Sequence, residues 1–315
     1  MSNVEKNVIL APYTTYKVGG SAKYFISIKS KQDLLLVYDW LSENDEDFFI
    51  LGGGSNVLVS DAGVDGLVIR MENTKVEIED DLMSCQAGLS LADAFRKAKV
   101  KNLSGLAWSF GIPQATIGGA VRGNAGAFGE SMADIVAEVE VFNLKNGQFK
   151  IFTNKDCRFD YRESIFKKDK KYLIWSVKLK MKRVPAADLE IASSQSLQYR
   201  TEHHPKLPSA GSVFKNLEVD YIKKVNYNLA EKLRQDGVIK HDRLGSGYFI
   251  DLLGLKGKTI GGAKISLEHA NFIVNTGKAK ASDIQELIAF VKKQILLQFK
   301  LELEEEIQYL GFKNI

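Results

Sequence analysis

The apolar positions of the chain begin as two short strand-like runs separated by a helical pattern. Residues 48–51 have the continuous apolar character of a buried strand, and residues 24–28 are predicted to form the first strand. Between them, Ser30 is a candidate N-cap because Asp33 follows three places later and an apolar run continues behind it. The order strand, helix, strand predicts a small α/β unit over residues 1–70.

Strand-like patterns dominate the next part of the chain. The runs with this character are residues 67–71, 76–79, 84–86, 137–142 and 173–181. Ser90 precedes a helical pattern over residues 91–98. These patterns together predict a second, α+β domain over residues 71–185.

The C-terminal third begins where the composition changes, near residue 185. A basic segment punctuated by prolines, residues 199–208, follows. Further on, Ser282 with Gln285 three places later predicts the N-cap of a helix that has apolar residues on one face. We expect a third domain over residues 190–300. Residues 301–312 mix acidic and apolar side chains, and we expect residues 301–315 to form a strand that returns to an earlier sheet.

The composition excludes several classes of protein. The net charge is +4, from 43 basic and 39 acidic residues, so no strong field for nucleic acid is present. The two cysteines are far apart and fit neither a disulfide framework nor a metal site. No window reaches the roughly 18 apolar residues of a membrane span, so we expect no membrane insertion and a cytoplasmic location.

Two clusters of glycines and small polar residues are candidates for ligand binding. The first directly follows a predicted buried strand and comprises Gly52, Gly53, Gly54, Ser55 and Asn56. The second comprises Gly111, Thr116, Gly118, Gly119, Asn124 and Gly126. Neither has the spacing of a P-loop or of a GxGxxG dinucleotide motif. Either cluster alone also fits a tight turn, but the pair favours one extended ligand such as FAD.

Outside these clusters, Arg162 and Ser212 are candidates for chemistry. An arginine beside a flavin can hold a substrate carboxylate, although a surface ion pair is the alternative. Ser212 lies in a turn of small residues without a GxSxG elbow, so a proton donor fits better than a nucleophile and a simple cap remains possible. No histidine has the spacing of a metal ligand, and we assign no metal.

Several segments, in order along nearly the whole chain, resemble one known family. They are TTYKVGGSAKYF, LGGGSNVLVSDAGVDGLVI, GLAWSFGIPQATIGGAVRGNAGAFGE, CRFDYRESIFK, PSAGSVFKN, GLKGKTIGGAKISLEHANFIVNTG and LELEEEIQYLGF. The chain resembles the UDP-N-acetylenolpyruvoylglucosamine reductases, in the shorter subclass that lacks a tyrosine-bearing insertion. The match is specific because all seven segments occur together.

This resemblance implies an α+β fold of the vanillyl-alcohol-oxidase type. Residues 1–70 and 71–185 would form two FAD-binding subdomains, residues 190–300 the substrate-binding domain, and residues 301–315 a strand returning toward the FAD-binding region. FAD would be bound non-covalently and NADPH would donate hydride. The substrate would be UDP-N-acetylglucosamine enolpyruvate, an intermediate of peptidoglycan synthesis, and we expect a monomer.

The resemblance also implies roles for individual residues. Arg162 would bind the substrate carboxylate, Ser212 would protonate the adjacent carbon, and Glu306 would assist the same intermediate. Tyr161, Lys215 and Asn216 would contact the substrate.

The chain departs from the family pattern at three places. Leu217 and Glu305 stand where prolines are common, and residues 217–246 look like an insertion.

Two other functions remain open from the sequence alone. One is an FAD-dependent oxidase of a small alcohol or hydroxy acid on the same fold. The other is a nucleotide-sugar binding module without catalytic activity.

Overall fold

The structure is a computed structural model that describes residues 4–312. Within this range the chain divides into two compact units. Unit 1 comprises residues 4–8, 21–54 and 64–202, and unit 2 comprises residues 9–20, 55–63 and 203–312. Each unit is therefore assembled from separated parts of the sequence. The division into three domains with the boundaries given above stays a prediction.

The helices lie mostly in the second half of the described chain. They are α1 (Lys31–Asn44), α2 (Leu91–Val100), α3 (Ile117–Arg122), α4 (Ile165–Lys168), α5 (Ala186–His203), α6 (Val219–Val225), α7 (Tyr227–Gln235), α8 (Gly247–Leu252) and α9 (Ala281–Phe299). No described helix has the length and apolar character needed to cross a membrane.

The strands concentrate in the first half. They are β1 (Glu5–Ile9), β2 (Ser21–Ile28), β3 (Phe48–Leu51), β4 (Val57–Val59), β5 (Val64–Met71), β6 (Val76–Glu79), β7 (Leu82–Gln86), β8 (Leu103–Ser104), β9 (Gly126–Ala127), β10 (Glu130–Ser131), β11 (Val136–Asn143), β12 (Gln148–Thr153), β13 (Tyr172–Lys180), β14 (Lys182–Arg183), β15 (Leu217–Glu218), β16 (Arg243–Leu244), β17 (Thr259–Ile260), β18 (Ala263–Ile265), β19 (Ile273–Asn275) and β20 (Gln308–Leu310).

Unit 1 contains a four-stranded and a five-stranded sheet. The first has the order β1-β2-β5-β3, and β5 pairs in parallel with both β2 and β3. Because β5 is central, most of its residues are buried on both faces. The second sheet, β12-β11-β13-β7-β6, is antiparallel. The strands predicted from the sequence are confirmed, with ends shifted by a few residues.

The predicted caps of α1 and α2 are also confirmed. The Ser30 side chain accepts a hydrogen bond from the Asp33 N–H at 3.2 Å, and the Asp33 carboxylate accepts from the Ser30 N–H at 2.8 Å. At α2 the Ser90 side chain accepts from the Asp93 N–H at 3.0 Å. Both caps are local in sequence, which is why the pattern alone could predict them.

Helix α5 of unit 1 was missed by the sequence reasoning. Its buried face contains Leu189, Ser193, Ser196 and Arg200, at helical spacing but mostly polar. The Arg200 guanidinium donates to the carbonyls of Trp108 and Phe110 at 2.7 and 3.0 Å. Because hydrogen bonds rather than apolar contacts hold this face, the hydrophobic pattern gave no signal.

Unit 2 combines the sheet β17-β18-β19 with helix α9. The apolar face of α9 is buried in the core of this unit. Strand β20 pairs in parallel with β4, so the C-terminal strand joins a strand from early in the sequence. This strand is shorter than predicted: residues 301–307 precede it outside regular strand, and residues 313–315 lie outside the described range.

The predicted cap of α9 is wrong. The helix begins at Ala281, and Ser282 lies inside its first turn. The carboxylate of Asp61 accepts from the N–H groups of Ala281 and Ser282 at 2.7 and 2.9 Å, and from the Ser282 hydroxyl at 2.8 Å. A residue distant in sequence supplies the acceptor, so a local capping pattern could not reveal it.

Candidate active site

In unit 1 the loop after β3 packs directly against the turn before α3. A Cβ on Gly53 would lie 1.4 Å from the carbonyl oxygen of Gln114, and a Cβ on Gly52 would lie 2.6 Å from Oγ1 of Thr116. Neither distance leaves room for a side chain. The two glycine clusters of the sequence therefore meet within this unit, through backbone contact.

Helix α3 exposes backbone beside this contact. Thr116 is its N-cap and accepts from the Gly119 N–H at 3.4 Å. A Cβ on Gly118 would lie 2.8 Å from the Ala87 Cβ, so Gly118 faces the packed side. Gly119 is exposed, and a Cβ there would touch only Oγ1 of Thr116, at 3.4 Å. The exposed edge is thus lined by backbone, as a phosphate or a flat ring requires.

Other glycines of the two clusters have local structural reasons. Gly54 and Gly111 have positive φ angles of 67° and 91°, a region that favours glycine. A Cβ on Gly126 would lie 2.2 Å from the carbonyl oxygen of Glu130, where β9 and β10 pair. These positions require glycine whether or not a ligand is bound.

Asn124 links the end of α3 to the segment that carries Arg162. This residue is buried and has a positive φ of 40°. Its Nδ2 donates to the carbonyl of Asp160 at 2.9 Å, and its Oδ1 accepts from the Ala133 N–H at 2.9 Å. The Nδ2 end of the amide therefore supports the turn just before Arg162, and the Oδ1 end ties that turn to the backbone of Ala133.

Arg162 lies in a strained turn with its guanidinium held in place. Its φ of 57° is in the left-handed region. Nη2 donates to the carbonyl of Gly126 at 2.9 Å, and the guanidinium carbon lies 5.2 Å from the centre of the Tyr161 ring. The carbonyl of Arg162 itself accepts from Lys167 at 2.9 Å. The side chain is half-buried and oriented from several sides, unlike a mobile surface arginine.

Thiol chemistry is disfavoured in unit 1. Cys157, near Arg162, and Cys85 are both buried and free. Burial raises the pKa of each thiol to about 12. Both cysteines therefore remain protonated near neutral pH, whereas a nucleophile or a covalent tether would need the thiolate.

In unit 2, Ser212 and Glu306 lie on neighbouring segments. Ser212 is half-buried and follows Gly211, whose φ is 78°. The Glu306 N–H donates to the carbonyl of Val213 at 2.7 Å, and the Lys215 N–H donates to the carbonyl of Glu304 at 2.9 Å. The segment after Ser212 thus runs antiparallel to the segment that ends at Glu306.

Asn56 supports the same region of unit 2. Its Nδ2 donates to the Glu306 carbonyl at 3.1 Å, and its own carbonyl accepts from the Gln308 N–H at 2.9 Å. Ser55 is half-buried beside it. The structure therefore groups Asn56 with Glu306, although the sequence grouped it with the glycine loop.

Lys215 and Asn216 follow Ser212 with different environments. Lys215 is buried, and its Nζ lies 2.5 Å from Oε1 of Glu304. The carbonyl of Lys215 accepts from the buried Ser246 hydroxyl. Asn216 is exposed. The Lys215 ammonium is paired with the Glu304 carboxylate, so the exposed Asn216 is the polar side chain close to Ser212 that a ligand can reach.

Comparisons with known proteins cover nearly the whole chain. The FAD binding domain family matches residues 22–152, and the C-terminal domain family of UDP-N-acetylenolpyruvoylglucosamine reductase matches residues 203–310. The reductase of that name from Solibacter usitatus is 33% identical over 309 residues, which are 98% of this chain and 97% of the relative. The one from Synechococcus sp. RCC307 is 35% identical over 314 residues, 98% and 94% of the two chains.

A solved structure agrees with these relatives. The crystal structure of UDP-N-acetylenolpyruvylglucosamine reductase (MurB) from Thermus caldophilus has a TM-score of 0.78 and 33% sequence identity, and covers 98% of both chains. The chain belongs to the UDP-N-acetylenolpyruvoylglucosamine reductase family. The family resemblance, the α+β class and the FAD-binding fold expected from the sequence are confirmed.

The residues of unit 1 fit the FAD that this family implies. Gly52 and Gly53 allow the two loops to pack against each other, and Gly119 leaves backbone uncovered beside that contact. Such a surface allows close approach by a pyrophosphate. Thr116 adds a hydroxyl at the same place.

The departures from the family pattern are accommodated locally in unit 2. The two backbone hydrogen bonds beside Ser212 use the Glu306 N–H and the Glu304 carbonyl. Neither involves the backbone of Glu305, so a glutamate in place of proline at this position leaves both bonds intact. Leu217 begins β15, which pairs with β16 and closes the ends of the insertion. Ile222 and Leu233 of the insertion are buried in the core of unit 2, so it forms part of that core.

The sequence reasoning missed Asn271, whose side chain bonds to the Ser212 turn within unit 2, and it also missed Asn275, whose side chain bonds elsewhere in that unit. Asn271 exchanges two side-chain hydrogen bonds with the backbone of Phe214, and the Asn275 N–H donates to the Pro208 carbonyl at 2.8 Å. Both asparagines are buried in an otherwise apolar segment. The sequence shows two asparagines four residues apart in an apolar run, but their burial and their partners are visible only in the structure.

Proposed function

We propose that the protein reduces UDP-N-acetylglucosamine enolpyruvate to UDP-N-acetylmuramate, with FAD as bound cofactor and NADPH as reductant. The observation that carries this function is the similarity to reductases of this name over 98% of the chain. The reaction consumes one NADPH and one proton per substrate and converts the enolpyruvyl ether into a lactyl ether. The chain provides an FAD-binding domain and the C-terminal domain of the family.

We propose that FAD is held by the backbone cradle of unit 1, together with other members of the two glycine clusters. Gly52, Gly53, Thr116 and Gly119 would hold it through backbone and hydroxyl groups. FAD bound there would supply the redox chemistry that carries hydride from NADPH to the terminal carbon of the enolpyruvyl group.

We propose that Arg162 binds the substrate carboxylate. Hydride addition to the enolpyruvyl group moves negative charge toward that carboxylate, and a fixed cation stabilises the charge as it develops. The hydrogen bond from Nη2 to the Gly126 carbonyl orients the guanidinium before substrate binds. Little reorganisation would then be needed during the reaction, which favours the transition state. Tyr161, whose ring packs beside the guanidinium, would contact the same part of the substrate.

We propose that Ser212 delivers the proton to the carbon next to the carboxylate and that Glu306 assists. A hydroxyl can serve as a general acid when it is held at the reacting carbon. The ladder between residues 213–215 and 304–306 keeps Ser212 and Glu306 on neighbouring segments of unit 2. Lys215 and Asn216 would contact polar groups of the substrate, and Lys215 would exchange its ion pair with Glu304 for that contact.

We further propose a monomer located in the cytoplasm. The substrate and NADPH are both small, water-soluble anions. The basic character of the chain, with a net charge of +4, favours such ligands modestly.

The first experiment is an anaerobic visible spectrum of the purified protein. NADPH should bleach the flavin band, and UDP-N-acetylglucosamine enolpyruvate should then restore it. UDP-N-acetylglucosamine, which lacks the enolpyruvyl group, is the matched control and should leave the flavin reduced. The proposal is wrong if NADPH bleaches the band and the enolpyruvyl substrate fails to restore it.

A further inference from the structure

The turn that carries Ser212 is fixed on its C-terminal side by the side chain of Asn271. Oδ1 of Asn271 accepts from the Phe214 N–H at 3.0 Å, and Nδ2 donates to the Phe214 carbonyl at 2.9 Å. The Asn271 carbonyl also accepts from the Val213 N–H at 2.8 Å. Asn271 is 3% exposed, so these hydrogen bonds form away from water.

The opposite edge of the same backbone is held by the segment that carries Glu306. The Val213 carbonyl accepts from the Glu306 N–H at 2.7 Å. Val213 therefore lies between Asn271 and Glu306, each bonded to one of its peptide groups. Since Ser212 is the next residue toward the N-terminus, its position depends on both contacts.

Asn271 is itself held by His269. Nδ1 of His269 accepts from the Asn271 N–H at 3.2 Å, which requires a neutral imidazole with its proton on Nε2. The imidazole packs against the rings of His204 and Phe272, with centroids 5.7 and 4.8 Å away. A chain of contacts thus runs from His269 through Asn271 to the Ser212 turn, entirely within unit 2.

We propose that Asn271 is a positioning residue for proton transfer: its side-chain amide holds the backbone of residues 213–214 so that the Ser212 hydroxyl reaches the substrate carbon. This inference rests on the proposed function, in which Ser212 is the proton donor. A hydroxyl donor works only within hydrogen-bond reach of its target. A displacement of about 1 Å can slow an enzymatic step roughly 100-fold.

The decisive experiment measures the two half-reactions of Asn271→Ala in single turnovers. Flavin reduction by NADPH should stay within about twofold of wild type. Reoxidation by the enolpyruvyl substrate should slow roughly 100-fold, the size expected for a misplaced catalytic group. Equal slowing of both half-reactions would overturn the proposal.

The double variant distinguishes positioning from general destabilisation. If Asn271 acts through Ser212, reoxidation in Ser212→Ala/Asn271→Ala should be no slower than in Ser212→Ala alone, because groups acting as a unit are not additive. Independent roles would multiply the two effects. A multiplied effect contradicts the inference even when both single variants are slow.

Two further variants keep the test interpretable. Asn275→Ala removes a buried amide of the same segment whose side chain bonds to Tyr16 and Gly277 instead of residues 213–214, so it should not slow reoxidation selectively. Asn271→Asp keeps the shape and the acceptor for the Phe214 N–H but loses the donor to its carbonyl. If the alanine variant fails to fold, Asn271→Asp takes its place and should show the same selective defect. Normal reoxidation in Asn271→Asp would overturn the proposal.

The outcome for wild type separates this inference from the proposed function. If the enolpyruvyl substrate does not restore the flavin band of wild type, the function itself fails. If it does, and the Asn271 variants reoxidise at the wild-type rate, only the positioning role fails.

Discussion

At the residue scale, single backbone contacts determine whether the two candidate sites can form. In unit 1 the contact between Gly53 and Gln114 brings two glycine-rich loops together. In unit 2 the side chain of Asn271 holds the turn of the proposed proton donor. Gly53 and Asn271 carry no charge and no nucleophile. Their importance comes from the geometry that they allow.

Gly53→Ala should impair flavin binding. Its Cβ would lie 1.4 Å from the Gln114 carbonyl oxygen, so one of the two loops must move. We expect the purified variant to lose most of its bound FAD, measured as the ratio of flavin to protein absorbance. Gly123→Ala is the matched control, because a Cβ there meets its nearest atom at an ordinary 3.6 Å and the φ of −92° suits alanine. Full flavin content in Gly53→Ala would contradict the role given to this contact.

At the scale of elements, the segment from β18 to β19 carries a histidine that bonds to Asn271, the residue that holds the Ser212 turn. His269 lies between these strands and is half-buried. Burial lowers the pKa of its imidazole below the ordinary 6.5, with smaller electrostatic contributions from Lys256 and His203. His204 packs on the His269 ring. The carboxylate of Glu268, the residue before His269, accepts a hydrogen bond from the Ser266 hydroxyl.

This lowered pKa predicts an acid-dependent loss of stability. The folded chain resists protonation of His269, so the unfolded chain binds the extra proton as the pH falls below about 6.5. The contribution is complete above that pH and is lost progressively below it. Thermal unfolding of wild type and His269→Gln between pH 8 and pH 5 should show the larger loss in wild type. An equal loss in both proteins would mean that His269 does not contribute.

At the scale of the whole molecule, each unit draws on distant parts of the sequence. Residues 9–20 and 55–63 belong to unit 2 with the C-terminal third, whereas their immediate neighbours belong to unit 1. Non-local assembly of this kind needs contacts of long sequence separation, which raises the loop-closure entropy that folding must overcome. A bound cofactor that stabilises the folded state offsets part of that entropy.

Removal of FAD should therefore lower the stability of the protein. At a free FAD concentration 100 times its Kd, binding contributes about 2.7 kcal/mol. The thermal midpoint of flavin-free protein should rise as FAD is added. Riboflavin, which lacks the pyrophosphate, should raise it less, because the backbone cradle of Gly52 and Gly53 is suited to phosphate. Equal shifts with both ligands would argue against a phosphate-binding role for the cradle.

The sequence by itself determined the features that depend on short-range order. The strands of the first half, the caps at Ser30 and Ser90, and the family follow from local patterns and from motifs that a linear reading can find. The residues predicted to be catalytic were also identified in this way, and their roles stay a proposal.

The tertiary structure alone decided which residues support the candidate sites. The polar face of α5, the Asp61 carboxylate at α9 and the amide of Asn271 all act through hydrogen bonds to partners far away in sequence. Such bonds leave no periodic trace, because one polar residue in the right place is enough to satisfy a buried backbone group. Hydrophobic periodicity records which face of an element is buried. It does not record which distant backbone groups that face must satisfy.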